Sequence, residues 1–354
     1  MKAVIYHSHD DIRLEELPVP TIQAEELLIR VHGCGLCGSD IGKIVQHAPP
    51  PVVLGHELTG TIVACREHVT AFAEGQDVIV AHHVPCGTCH YCQRGNYSMC
   101  ATFKASNIAP CGLAEYVRVP AAHVQHTTLP LPASLSAIEG SFTEPLACCV
   151  RAVRRTPLHD GDTIVIVGLG SVGLLMLQAF KVLGTQMGYA LRVYGIDLLP
   201  ARLQLARELG ADEVFAAPAH VEEIQQLIAT YTEGRGADTV MLATPGQRPF
   251  AQALACTRKG GVIHIFTAHA GNVPFDLQTL YQQELTIIST YSSSPEDLRI
   301  ALNLLTDRLV RVEQLISHRL PLERFHEGVA MMQTHTALKV YYHIAGEFHA
   351  EQSL

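Results

Sequence analysis

No stretch of the sequence reaches about 18 apolar residues without a charge or a break, so a membrane-spanning helix is not expected. The opening, MKAVIYHSHDDIRLEE, lacks the apolar core of a secretion signal and carries charge early. Basic residues are in deficit, 25 against 34 acidic, giving a formal net charge of −9. That balance speaks against a general nucleic-acid binder, which needs a basic surface to meet phosphate. Repeats and low-complexity tracts are also missing. Charged residues make up only 17% of the chain and hydrophobic ones 48%, a composition that supplies a large core rather than disorder. The expected compartment is the cytoplasm, where clustered cysteines serve metals or catalysis more often than disulfides. The eleven cysteines, an odd number in a chain too long to need staples, point the same way.

The 354 residues suit two domains at roughly 150 residues each. Up to about residue 150 the texture is β-rich and irregular. Short apolar runs (MKAVIY, EELLIRVHG, ELTGTIVAC, QDVIVAHHV) alternate with Pro and Gly clusters. The segment SLSAIEGSFTEPLACCVRAVRR predicts helices on both sides of Pro145. From Asp162 onward, apolar strands alternate with helical segments: DTIVIVG, ALRVYGID, ADEVFAA, ADTVMLAT, GGVIHIFTA and ELTIIST. Such alternation implies a parallel sheet covered on both faces. Ser294 is the expected cap of a helix over SPEDLRIALNLLTDRLV, and the tail supplies a further helix and a closing strand.

Gly168-Leu169-Gly170-Ser171-Val172-Gly173 is a G-x-G-x-x-G run that follows an apolar strand and opens a helix expected to end at Gly184. In that context it reads as a dinucleotide-binding turn, with the pyrophosphate at the helix N-terminus. A bare βα turn without ligand is the plainer alternative. Asp197 ends the second strand, where a carboxylate can accept from ribose hydroxyls. It lies 24 residues after Gly173, against the usual ~20, and GTQMGY reads as a short insertion covering the excess. Leu198 and Leu199 follow, with no cation for a 2′-phosphate, which favours NAD over NADP. Arg202, one turn later, is the residue that could change this.

Cys86, Cys89, Cys92 and Cys100 lie within one short lobe, spaced C-x2-C-x2-C-x7-C. A redox pair needs only one C-x-x-C, and a ferredoxin run has a shorter last gap followed by Pro. Four thiolates from one lobe suit a closed tetrahedral Zn2+ site, which is structural because no coordination position stays open.

Taken with Cys37-Gly38-Ser39-Asp40, Gly55-His56-Glu57 and Glu144-Pro145-Leu146, these features resemble the zinc-dependent medium-chain dehydrogenase/reductase family, and its polyol (sorbitol-type) branch most. The resemblance spans essentially the whole chain. It implies an α/β protein: a GroES-like β-rich catalytic domain (1–150 with 292–354) holding an inserted Rossmann domain (151–291), a doubly wound parallel sheet. It also implies two Zn2+ per chain, NAD, a small-molecule alcohol substrate and a homodimer or homotetramer. Cys37 and His56 would bind the catalytic Zn2+. Glu57 and Glu144 would bind it directly or through its water; in alcohol dehydrogenases proper a cysteine stands where Glu144 stands. Asp40 would orient His56, and Ser39 would pass the substrate proton onward. Many members carry a relay histidine where this chain has Gly42. Lys43 sits where sorbitol dehydrogenases carry an aromatic contact. It reads first as a solvated surface lysine and second as a charge for an anionic substrate such as a sugar-alcohol phosphate. Their Arg-Tyr pair is not matched near Tyr291, which counts against D-sorbitol itself. The competing readings are a threonine-type amino-alcohol dehydrogenase and a zinc-lobed, NAD-binding protein without turnover.

Overall fold

The computed structural model describes residues 1–344 except 51, 53, 219, 269 and 270; residues 345–354, the end of the range 292–354 expected to return to the catalytic domain, lie outside the described residues. The chain divides into two units: Met1–Ala147 with Ser293–Arg308 and Val312–Leu354, and Cys148–Ser292 with Leu309–Arg311.

The first unit is built on a seven-stranded sheet. Its path runs His318–Pro321, Val340–His343, Leu27–Gly35, Glu57–Cys65, Asp77–Val80, Thr128–Pro130, and Tyr116–Val119 pairs beside Leu27–Gly35. All pairings are antiparallel except that of His318–Pro321 with Val340–His343. Alternation along Leu27–Gly35 buries Leu27, Ile29 and Val31 completely, in one core with Leu58, Ile62, Val78 and Val117. Full burial of each such side chain contributes about 1.5–3 kcal/mol. The register sets Gly35 opposite Glu57 on one side and Tyr341 on the other. Segments far apart in sequence are thereby brought to one spot. This β-rich unit, closed by a strand from the chain's far end, is the expected GroES-like architecture.

The second unit holds a six-stranded, wholly parallel sheet. Its order is Glu213–Ala216, Arg192–Asp197, Thr163–Val167, Ala237–Leu242, Thr257–Ile265, Thr286–Ser289. The first strand in sequence, TIVIV, is buried at every position and lies inside the sheet, as a strand covered on both faces must be. The strand order reverses between Thr163–Val167 and Ala237–Leu242, the switch point at which such sheets bind nucleotides. The expected Rossmann order is therefore present.

Two local expectations are adjusted. The helices near Pro145 are Ala137–Ser141 and Thr143–Arg155, so the break falls at Phe142 and Pro145 sits in the first turn of the second helix. A proline is tolerated there because the first N–H groups of a helix have no internal partner. The helix after the glycine turn runs Ser171–Gln186, past Gly184, so part of GTQMGY is helical rather than inserted loop. Ser294 caps Pro295–Thr306 as expected, its hydroxyl accepting from Asp297 N–H while the Asp297 carboxylate accepts from Ser294 N–H.

Candidate active site

Cys37 is the N-cap of the helix Gly38–Val45. Its Sγ accepts from Ser39 N–H at 3.4 Å and from the Ser39 hydroxyl at 3.2 Å. The Ser39 hydroxyl also lies 3.5 Å from His56 Nε2. Asp40, in the same first turn, is 0% exposed, and its Oδ1 lies 3.4 Å from His56 Nδ1. The ring is thus held with Nδ1 toward a carboxylate and Nε2 toward Cys37 and Ser39, the orientation that leaves Nε2 to a metal. Burial alone would lower the His56 imidazolium, but Asp40 and then Cys37 outweigh it and raise it well above its ordinary range.

Glu57 begins its strand next to His56. One donor atom each from Cys37, His56 and Glu57 lie within 4.8 Å of one another. The Glu57 carboxylate is paired through Oε2 with the ammonium of Lys339, and Oε1 has no hydrogen-bond partner among the described residues. A Cβ on Gly35 would collide with Glu57 Oε2 and press on Lys339 Cε, so glycine is needed at that close approach. Burial alone would lower Lys339, but Glu57, Cys37 and more weakly Glu144 raise it, keeping an ammonium inside the site. Glu144, 6% exposed, stands outside the 4.8 Å group but within electrostatic reach of that ammonium. Sequence reasoning missed Lys339. Its signal was a lone cation in ALKVYY, an otherwise apolar run entering a strand.

The four lobe cysteines also bring their Sγ atoms within 4.8 Å of one another. Cys89 and Cys92 stand 3.5 Å apart, and Cys86 and Cys92 3.9 Å. The backbone N–H groups of Thr88 and Cys89 lower the Cys86 thiol to about 6, which suits a thiolate ligand. His82 and His83, also missed, precede this lobe. Ring centroids run His56–His82 at 4.5 Å, His82–His83 at 3.9 Å and His83–Phe103 at 4.8 Å. Phe103 packs on Cys92 and Cys100, so a row of rings joins the two donor clusters. Burial, and then His56, lower His82 well below the ordinary imidazole range, so it is a neutral ring. Lys43 Nζ lies 3.5 Å from Asp40 Oδ1 with its side chain 36% exposed.

In the second unit the glycine turn joins Thr163–Val167 to Ser171–Gln186. Gly168 takes a positive φ of 97°, and a Cβ on Gly173 would strike Gly168 O, so both serve the turn itself. A Cβ on Gly170 would meet nothing nearer than Arg202 Nη1 at 4.0 Å. The chain leaves open space there, which fits a pyrophosphate approaching the backbone. The buried Ser171 Oγ at this helix start has no hydrogen-bond partner among the described residues. Asp197 Oδ2 accepts from Leu169 N–H at 2.7 Å, and Oδ1 from Leu199 N–H at 2.9 Å. Arg202 Nη1 lies 3.7 Å from Asp197 Oδ2. Among the described residues no helix is long and apolar enough to cross a membrane.

The family model described as alcohol dehydrogenase GroES-like domain matches residues 23–132, and that described as zinc-binding dehydrogenase matches 158–307. A sorbitol dehydrogenase of Halalkalibacterium halodurans is 30% identical over 347 residues, covering 96% of this chain and 98% of that protein. A D-arabitol-phosphate dehydrogenase of Enterococcus avium is 31% identical over 342 residues, covering 94% of each. Among solved structures, the alcohol dehydrogenase TADH of Thermus sp. ATN1 superposes with a TM-score of 0.81 at 29% identity, over 98% of this chain and 100% of that one.

Proposed function

The chain belongs to the zinc-binding alcohol dehydrogenase family with a GroES-like domain, and from that premise we propose that it oxidises a secondary alcohol of a polyol, sugar alcohol or cyclitol with NAD. The observation that carries this reading is the convergence of Cys37, His56 and Glu57 donor atoms within 4.8 Å, with Asp40 behind His56. The polyol class draws on the relatives named above. NAD rather than NADP draws on Asp197, whose carboxylate would face a 2′-phosphate as a like charge. Two zinc ions per chain are proposed. Cys37 and His56, with Glu57 or Glu144, would hold the catalytic one, and Cys86, Cys89, Cys92 and Cys100 the structural one. Residues 1–150 and 292–354 would form the catalytic domain and 151–291 the cofactor domain. A cytoplasmic homo-oligomer completes the proposal.

When bound, zinc supplies Lewis acidity toward an alcohol oxygen and the nicotinamide supplies a two-electron acceptor. The protein's part follows from its own residues. Asp40 fixes the ring of His56 and the tautomer that leaves Nε2 unprotonated. Lys339 pairs with one Glu57 oxygen inside the site. The Ser39 hydroxyl, between Cys37 Sγ and His56 Nε2, receives the substrate proton. Gly42, where an added Cβ would meet Gln46 Nε2 at 3.9 Å, carries no side chain to take that proton further, so water accepts it. Gly168, Gly170, Ser171, Val172 and Gly173 cradle the pyrophosphate, and Asp197 accepts from the ribose hydroxyls.

The test is the appearance of NADH at 340 nm when the zinc-loaded protein meets polyols, cyclitols, amino alcohols and simple alcohols. Turnover should be best within the polyol and cyclitol set. A threonine-type amino alcohol outpacing every polyol would move the substrate class. Absence of turnover with all of them, in protein shown to bind NAD and zinc, would favour a non-catalytic role.

A further inference from the structure

We propose that His83 is a positioning residue for the site at Cys37 and His56: through His82 it sets the tilt of the His56 ring, and it takes its own place from the four-cysteine lobe through Phe103 and Ser106. Metal in the lobe then tunes metal binding by His56. This rests on the zinc dehydrogenase reading above and adds a coupling between its two metal sites. Asp40 decides which edge of the His56 ring faces the carboxylate, at 3.4 Å from Nδ1, and the Ser39 hydroxyl lies 3.5 Å from Nε2. Both distances exceed the usual hydrogen-bond range of about 2.7–3.2 Å, so neither polar contact pins the tilt of the ring. What packs on its face is His82, with ring centroids 4.5 Å apart and planes inclined by 38°. His82 Nδ1 is buried and makes no hydrogen bond among the described residues, which leaves packing to place this ring too.

The next ring is anchored. His83 lies on His82 with centroids 3.9 Å apart, and its Nδ1–H donates to the Ser106 carbonyl at 2.7 Å. Ser106 is itself tied on both sides: its hydroxyl accepts from Val84 N–H and donates to the Phe103 carbonyl, each at 2.9 Å. Ser106 is also the C-cap of the helix Ala101–Ala105, whose N-cap is the lobe residue Cys100. Phe103, inside that helix, packs on Cys92 and Cys100 and meets the His83 ring at 4.8 Å. The lobe thus reaches His83 by two routes, a ring contact and a hydrogen bond, both carried by the one short helix that starts at a candidate ligand. Emptying the lobe frees Cys100 and with it that helix. A close-packed interior passes such a displacement on rather than absorbing it.

The experiment uses the full-length protein and the metal itself as probe. Zinc-loaded protein is treated with chelator until one ion per chain remains, and Co2+ is titrated back, its visible absorption reporting the geometry of its ligands. Bands that persist in Cys37→Ser belong to the lobe and are subtracted. His83→Leu, which removes both ring and anchor, should shift the bands of the Cys37–His56 site and weaken Co2+ binding there roughly 10-fold. His83→Phe, which keeps a stacking ring, should recover most of both. Phe103→Leu, which keeps the lobe apolar, should act in the same direction as His83→Leu and supplies the test should His83→Leu fail to fold. Cys89→Ser should shift the bands likewise, and adding His83→Leu to it should cost little more, because both break one link. Wild-type bands and affinity in soluble His83→Leu overturn the proposal. So do a His83→Phe protein as impaired as His83→Leu, or fully additive losses in the double variant. None of these readouts needs turnover. If no alcohol yields NADH while the bands still follow His83 and the lobe, the reaction assignment fails and the coupling stands; alcohol oxidation with bands that ignore both leaves the reaction standing and sinks the coupling.

Discussion

At the scale of single residues, Asp197 and Arg202 oppose each other in one contact. Asp197 is held by two backbone N–H groups, so its carboxylate is a fixed negative charge, while Arg202 lies 3.7 Å away. Asp197→Ser should release Arg202 toward a 2′-phosphate. The ratio of kcat/KM for NADP over NAD should rise about 10-fold or more, checked by steady-state rates with both cofactors. An unchanged ratio would show that the carboxylate does not set the choice. Lys339 makes a different claim, about stability. Removing one partner of a buried ion pair costs about 3–5 kcal/mol, because the other charge is stranded. Lys339→Met should therefore lower the melting temperature sharply, and Lys339→Met with Glu57→Gln should recover much of the loss. Thermal unfolding of the four proteins in that cycle measures the coupling, and additive effects would mean the pair is not coupled.

At the scale of elements, the cysteine lobe is a short stretch of irregular turns whose side-chain core consists of Cys92, Cys100 and Phe103, with Cys89 and Tyr97 partly buried against it. So small a cluster cannot order a loop by apolar burial alone, and a metal is the usual remedy. Cys89→Ser should remove about one zinc per chain by elemental analysis and lower the melting temperature. NAD binding, which belongs to the glycine turn of the other unit, should persist. Wild-type zinc content in soluble Cys89→Ser protein would refute the structural-zinc reading. The ring row His56–His82–His83–Phe103 makes this element more than a distant staple. Its Phe103 end sits on the thiols and its other end on a candidate ligand of the catalytic metal.

At the scale of the whole molecule, the parallel sheet of the second unit ends on Thr286–Ser289, whose outer edge has no partner strand among the described residues. Leu277, Tyr281 and Tyr291, in the segments flanking that strand, are 72%, 80% and 59% exposed, with Ile287 at 36% on the strand itself. An open strand edge flanked by large apolar side chains is a template for another chain. Self-association there should give a multiple of the 38.5 kDa chain mass in light scattering. Ile287→Lys with Tyr281→Asp should shift the protein toward that chain mass, and an unaltered mass would place the interface elsewhere. The four-cysteine lobe, the glycine turn and the strand–helix alternation were legible in the sequence. The cysteine lobe and the glycine turn are local: their donors or dihedral requirements fall within a few residues, so spacing alone carries the chemistry. Lys339 and His82 were not legible as neighbours of the site. Gly35, Glu57 and Lys339 meet only because the register sets Gly35 between Glu57 and Tyr341, and the strand Val340–His343 joins a sheet begun near residue 27. Which charges are buried and paired depends on that long-range closure, and no local pattern encodes it.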